Sequence, residues 1–123
     1  MYRGVIMRVL GKRFVLYRVL LEVSSVVLAV LLYLFIVSGY GLIEPSAVER
    51  YSLGLLSYDK CIRLHLSPLV RWLLILSGLV HSYCGFVLMS LRIRRRSIRV
   101  LVEAILAVLC LLVFVQLLLI ELT

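Results

Sequence analysis

Three long apolar stretches constrain the fold of this chain more than any other feature. They cover residues 26–37, 73–88 and 104–120, and each, with its flanks, supplies the ~20 residues that a helix needs to cross a ~30 Å hydrocarbon core. The chain has 123 residues, is 64% hydrophobic and has a mean hydropathy of +1.17, which is more apolar surface than a soluble domain of this size can bury. The sequence therefore predicts an all-α membrane protein, folded as a single membrane domain over residues 1–123.

The predicted spans are residues 19–42, 66–91 and 98–120. Ahead of them, residues 1–18 place basic residues between apolar ones at helical spacing, which indicates an interfacial amphipathic helix that runs into the first span. A cleaved signal peptide would have a shorter apolar region and a small-residue cleavage site. We therefore expect three transmembrane helices with an N-terminal interfacial helix.

The connections between the spans carry turn and charge signals. The Ser-Gly-Tyr-Gly segment 38–41 is expected to end the first span, and Pro45 to open a short helix through about Leu56. The 43–65 loop has no net charge, whereas the N-terminal segment and residues 92–99 carry five cations each. The positive-inside rule then predicts a plasma-membrane protein with its N-terminus and the 92–99 segment in the cytoplasm and its C-terminus outside.

Composition adds two further expectations. Asn is absent, Gln and Thr occur once each, and Arg outnumbers Lys twelve to two, which predicts a thermophilic source, although a GC-rich genome gives the same excess of Arg. Cys61, Cys84 and Cys110 have no metal-ligand spacing, so we interpret them as two apolar fillers and one loop thiol.

His81 lies near the middle of the second predicted span, about 21–22 Å from its outer border. A titratable group at that depth is costly and indicates a functional site. Ser77 and Gly85 are four residues away on either side and share its helix face, with Gly78 beside them. This pattern suits a histidine ligand of a haem iron beside side chains small enough to admit the ring. A small-residue helix-packing seam with a hydrogen-bonded histidine, or a proton or ion relay, fits the same residues.

Other polar residues near the membrane borders have two interpretations each. His65 is too far from His81 to share its metal, and it is either the ligand of a second haem or an interfacial polar residue. Arg71, like Arg63, could pair with a haem propionate or could simply extend its charge to the interface. Glu22 and Glu103 could transfer protons to a quinone, but each has an arginine four residues before it, so ion pairing is the simpler account.

The sequence has no HExxH, GxSxG, P-loop or GxGxxG pattern and no extramembrane domain that could hold a substrate. We therefore do not expect it to be an enzyme alone. Three helices with one mid-membrane histidine do not complete a haem site, so a partner chain or a second copy should supply the other ligand.

Residues 74–85, Leu-Ile-Leu-Ser-Gly-Leu-Val-His-Ser-Tyr-Cys-Gly, resemble the second span of the membrane-anchor (cytochrome b) subunits of succinate dehydrogenase and fumarate reductase. Those anchors are similar in size and have three spans. The resemblance implies that His81 is an axial ligand of haem b. It also implies that the chain docks a flavoprotein and an iron–sulfur protein and takes part in electron transport between them and the quinone pool.

This chain departs from the family at two positions, and other protein classes fit the same residues. Some anchors have an Asp-Tyr pair at the quinone site where this chain has Arg92 and Ile93. Other small b-type cytochrome anchors of respiratory complexes resemble the chain almost as well. Two alternatives from other classes are a cofactor-free structural transmembrane subunit of a larger membrane complex and a proton-conducting helix bundle.

Overall fold

The computed structural model describes residues 2–122, and the side chains of residues 11–122. Within residues 2–122 it contains helices and connecting turns and no strand. The helices, in chain order, are α1 (Tyr2–Ile43), α2 (Pro45–Tyr51), α3 (Tyr58–His65), α4 (Pro68–Ser90) and α5 (Arg96–Leu122).

Three of these helices are long and apolar enough to cross a membrane: Gly11–Ile43 within α1, α4 and α5. An unbroken apolar run favours a helix in a bilayer because every backbone N–H and C=O is then paired inside the segment. The prediction of an all-α membrane protein with three transmembrane helices, the first near the N-terminus, is confirmed.

Helix α1 extends beyond both ends of the first predicted span, residues 19–42. Its backbone is helical from Tyr2, so the basic N-terminal segment continues into the span without a turn; the side chains of residues 1–10, on which its amphipathic face depends, lie outside the described residues. At the other end, the glycines of segment 38–41 do not stop the helix. The ladder continues to a bond from Glu44 N to Tyr40 O at 2.8 Å.

The connection between the first two spans holds two short helices. Helix α2 begins at Pro45, as predicted, because a proline in the first turn lacks only an N–H that would have no helical partner there. It ends at Tyr51 rather than near Leu56, and Gly54 follows with a φ of 78°, a left-handed conformation that glycine adopts without strain. Helix α3 was not predicted.

The later helices end where local chemistry changes. Helix α4 starts at Pro68 and stops at Ser90, before the arginine cluster, and α5 starts at Arg96 inside that cluster. None of the residues of α5 is fully buried. The half-buried positions of α5 follow one stripe at helical spacing, Arg99, Glu103, Leu106, Cys110, Phe114 and Leu117 among them, and most other positions of the helix are exposed and apolar.

Residue contacts divide the chain into two compact units, one of Met1–Val23 with Leu79–Thr123 and one of Ser24–Gly78. In the first unit, the Tyr17 and Tyr83 rings meet edge to face with centroids 6.3 Å apart. In the second unit, α3 packs onto the end of α1 through Cys61, which is fully buried.

Candidate functional site

Helix α4 carries His81 near its middle, half-buried. Ser77, one turn before it, is also half-buried and donates its hydroxyl hydrogen to Leu74 O at 3.1 Å. A serine bonded back to its own helix adds little polarity to the surface around it. In this helix Ser77 and Gly85 each lie one turn from His81 and share its face.

The two glycines near His81 already have neighbours in this chain. A Cβ atom built on Gly78 would lie 3.9 Å from Leu28 Cδ1, and one built on Gly85 would lie 3.5 Å from Leu21 Cδ1. Both are ordinary van der Waals distances between helices α4 and α1. A methyl group would therefore fit at either position, and the spacing of α1 and α4 does not require a glycine there.

These contacts bear on the predicted haem site. A macrocycle that reached His81 over Gly78 or Gly85 would have to displace the leucine of α1 that lies near that glycine. Among residues 11–122 no group of three or more His, Cys, Asp or Glu side chains comes together as a metal site. Arg71 is half-buried in the first turn of α4. The roles of His81, Arg71 and the small residues toward a haem stay predictions.

His65 lies in a second, closely fitted site at the end of α3. Its ring stacks on Phe35 of α1, with centroids 4.2 Å apart and planes inclined by 23°. Its Nδ1 atom is 3.1 Å from Phe35 O and 3.2 Å from Ser38 Oγ. Gly39 makes room for the ring, because a Cβ there would lie 3.1 Å from His65 Cε1, closer than side-chain carbons normally pack.

Hydrogen-bond accounting assigns the tautomer of His65. The hydroxyl of Ser38 donates its one hydrogen to Phe35 O at 2.9 Å, so its oxygen can only accept from His65. A carbonyl oxygen also only accepts, so both contacts require the hydrogen on Nδ1. Nε2 is then the ring nitrogen that is left to bind another group. The same arrangement, one nitrogen donating to a carbonyl, orients many metal-binding histidines.

Cys61 lies one turn before His65 and completes the same contact between α3 and α1. It is fully buried against Gly41, where an added Cβ would lie 2.8 Å from Cys61 Cβ and would also collide with Sγ. The two glycines and Ser38 therefore form a flat surface on α1, and α3 fits a cysteine and a histidine onto it. We call this contact the α1–α3 junction: Phe35, Ser38, Gly39 and Gly41 of α1 with Cys61 and His65 of α3.

Sequence reasoning missed this junction. The sequence does contain a matching pattern. Residues 38, 39 and 41 are small, and Cys61 and His65, which contact them, are four residues apart and share one helix face. No short-range sequence pattern links segment 38–41 to residues 61–65. Taken alone, the glycines of that segment predict a helix end instead.

The two membrane-border carboxylates behave differently. Arg18 Nε donates to Glu22 Oε1 at 2.9 Å, which confirms the ion pair expected from their spacing. Glu103 instead bonds to the buried Ser90 hydroxyl of α4 at 3.0 Å, and among the described residues no ion pair joins it to Arg99. Ser90 Oγ is also 2.7 Å from Val87 O, so one hydroxyl hydrogen serves two acceptors.

Comparison of this chain with known protein families, with curated proteins and with solved structures finds no match in any of the three.

Proposed function

We propose that this chain is a structural membrane-anchor subunit of a larger membrane complex. The observation that supports it best is helix α5, 27 residues long, of which no residue is fully buried. Transmembrane helices are held by close packing and interhelical hydrogen bonds, because lipid provides no hydrophobic force between them. Helix α5 meets its own chain along one half-buried stripe, which leaves the rest of its apolar surface for partner helices.

Isolation of the complex tests this proposal. The tagged chain, purified in a mild detergent from the membranes of its source, should carry other membrane subunits in fixed proportion. A photocrosslinking residue at the exposed Val108 of α5 should capture one of them, whereas one at the half-buried Leu106 should crosslink within the chain. Purification of the chain alone, with only lipid captured at Val108, would contradict the proposal.

A second candidate function is a haem-b-binding anchor of a respiratory oxidoreductase, favoured by the half-buried His81 in the middle of α4 with Ser77 and Gly85 one turn away. His81 would ligate the iron, and a partner subunit would supply the second axial ligand. Haem b, when bound, would supply one-electron transfer between a cytoplasmic iron–sulfur partner and the quinone pool.

A redox difference spectrum and a pyridine haemochrome assay of the purified complex separate the two candidates. The haem candidate predicts a haem b signal that is lost in His81→Ala. The control is Arg63→Ala, an exposed residue of α3, which should keep that signal, and a further loss of haem in His65→Ala would indicate a second haem at His65. Absence of haem b, or a signal unchanged by His81→Ala, would remove this candidate and leave the structural subunit.

The proposed orientation has the N-terminus and the arginine cluster in the cytoplasm, supported by the five cations in each segment. Single cysteines at the exposed positions Ser46 and Ser97, in a chain with its own cysteines replaced, can be labelled with an impermeant maleimide on whole cells. We expect labelling at Ser46 and protection at Ser97. The reverse pattern would invert the orientation.

A further inference from the structure

A groove of about 300 Å³ lies where the last turns of α1 meet α2, within the Ser24–Gly78 unit. Its walls are apolar side chains, Val37 and Val48 among them, and three tyrosines: Tyr33, Tyr40 and Tyr51. The groove begins at the end of the apolar part of α1, which is the level of the lipid headgroups if α1 crosses the bilayer.

Among the described residues, Glu44 is the one charged residue that lines this groove. It occupies the N-cap position of α2, but its side chain makes no capping hydrogen bond, and the described residues contain no ion pair to it. The last turn of α1, which ends at Ile43, has no basic residue to offset the partial negative charge of its final carbonyl groups. The carboxylate of Glu44 therefore gives the groove a negative charge.

The tyrosines add to the same preference. The face of an aromatic ring is negative, so Tyr40 and Tyr51, which line the groove together with Glu44, favour an organic cation over an anion. Tyr33 lies eleven residues before Glu44, about 16 Å along α1 towards the middle of the span. A ligand that matches the groove has an ammonium group at one end and an alkyl chain that runs from it.

We propose that this groove binds one phospholipid through its ammonium headgroup, with phosphatidylethanolamine as the occupant: the ammonium pairs with Glu44 and an acyl chain lies along α1 between Tyr33 and Val37. This inference does not depend on the proposed function, because it rests on the α1–α2 groove and not on α5 or His81.

Native mass spectrometry of the full chain in maltoside detergent tests the proposal, with dioleoyl phosphatidylethanolamine and dioleoyl phosphatidylglycerol as probes. The two lipids share their chains and phosphodiester and differ in the ammonium group. We expect one phosphatidylethanolamine per chain, bound about fivefold more tightly than phosphatidylglycerol, the ratio that ~1 kcal/mol from one exposed cation contact provides.

Variants with matched controls locate the site. Glu44→Gln and Tyr40→Leu should lower phosphatidylethanolamine binding to the level of phosphatidylglycerol. Glu49→Gln and Tyr58→Leu change an exposed carboxylate and an exposed tyrosine of the same connection outside the groove, and should leave both lipids unaffected. All four positions are exposed, so circular dichroism should show unchanged helix content.

Three outcomes would overturn the proposal. The first is equal binding of the two lipids by the unaltered chain. The second is unchanged phosphatidylethanolamine binding in Glu44→Gln. The third is a dimer or a partner complex that persists in detergent and excludes phosphatidylethanolamine until it dissociates, which would make a protein segment the occupant of the groove.

Discussion

The two histidines of this chain are set into their helices in different ways. His65 ends a short helix, stacks on Phe35 and is hydrogen-bonded to α1, and a Cβ added at Gly39 would lie only 3.1 Å from its ring. His81 is half-buried in the middle of a long helix, and a Cβ added at Gly85 or Gly78 would lie 3.5 or 3.9 Å from the nearest leucine carbon. Depth in the predicted span indicates a functional role for His81, while contacts with α1 surround His65.

The two sites differ in whether the small residues on the neighbouring helix surface are needed for the helices to pack. At the α1–α3 junction they permit an approach that no larger residue would allow, so the side chains there are fixed in one arrangement. Near His81, a Cβ added at Gly78 or Gly85 would lie at ordinary van der Waals distance from a leucine, so a methyl group could be added without a clash. His65 is therefore held where a larger neighbour than Gly39 would collide with its ring, whereas the glycines near His81 would accept a methyl group.

Of the variants considered, Gly41→Ala should destabilise the chain most, through the α1–α3 junction. Its new methyl group would collide with Cys61, and overpacking of this kind costs ~3 kcal/mol. We expect α3 to leave α1, so that the fully buried Cys61 thiol reacts with a maleimide while the chain stays helical. Gly11→Ala is the control, because nothing lies within 4 Å of a Cβ at that position. Unchanged protection of Cys61 in Gly41→Ala would mean that the junction is not closely packed.

His65→Ala should cost ~2 kcal/mol, since it removes a ring stacked on Phe35 and a hydrogen bond to α1. The effect should appear as faster maleimide labelling of Cys61 and as a lower free energy of unfolding in detergent. Arg63→Ala, an exposed neighbour in the same helix, should change neither. If the two variants behaved alike, the contact of His65 with α1 would contribute nothing to the position of α3.

Ser90→Ala should have a smaller effect, ~1 kcal/mol, because it removes the hydroxyl that bonds to Glu103. Glu22→Gln removes the ion pair with Arg18. Both side chains of that pair are about two-thirds exposed, so the loss of stability should be smaller still. Unfolding of both variants in detergent gives the comparison. An equal loss for both would show that the Ser90–Glu103 bond between α4 and α5 is no stronger than an exposed pair.

The sequence predicts the helices because their signals are local. The second and third spans, expected at 66–91 and 98–120, are Pro68–Ser90 and Arg96–Leu122, since proline and the arginine cluster mark the ends directly. The Arg18–Glu22 pair follows in the same way from i,i+4 spacing.

The contacts between helices were not predictable in this way. The His65 bonds join residues 27 and 30 positions apart, and Glu103 takes a partner 13 positions away instead of the arginine four before it. A choice between a local and a distant partner depends on how the helices pack, which the apolar runs do not specify.

Gly78→Ala should have the smallest effect and should slightly stabilise the chain. Its methyl group would reach Leu28 at van der Waals distance, and alanine is a better helix former than glycine, so a gain of ~0.5 kcal/mol is expected. Gly85→Ala, nearer its leucine, should be close to neutral. The same variants bear on the haem candidate, because a macrocycle over either glycine would be weakened by the added methyl. Stable variants with an unchanged haem content would place any haem away from both glycines, whereas loss of haem without loss of stability would show that these small residues admit the ring beside His81.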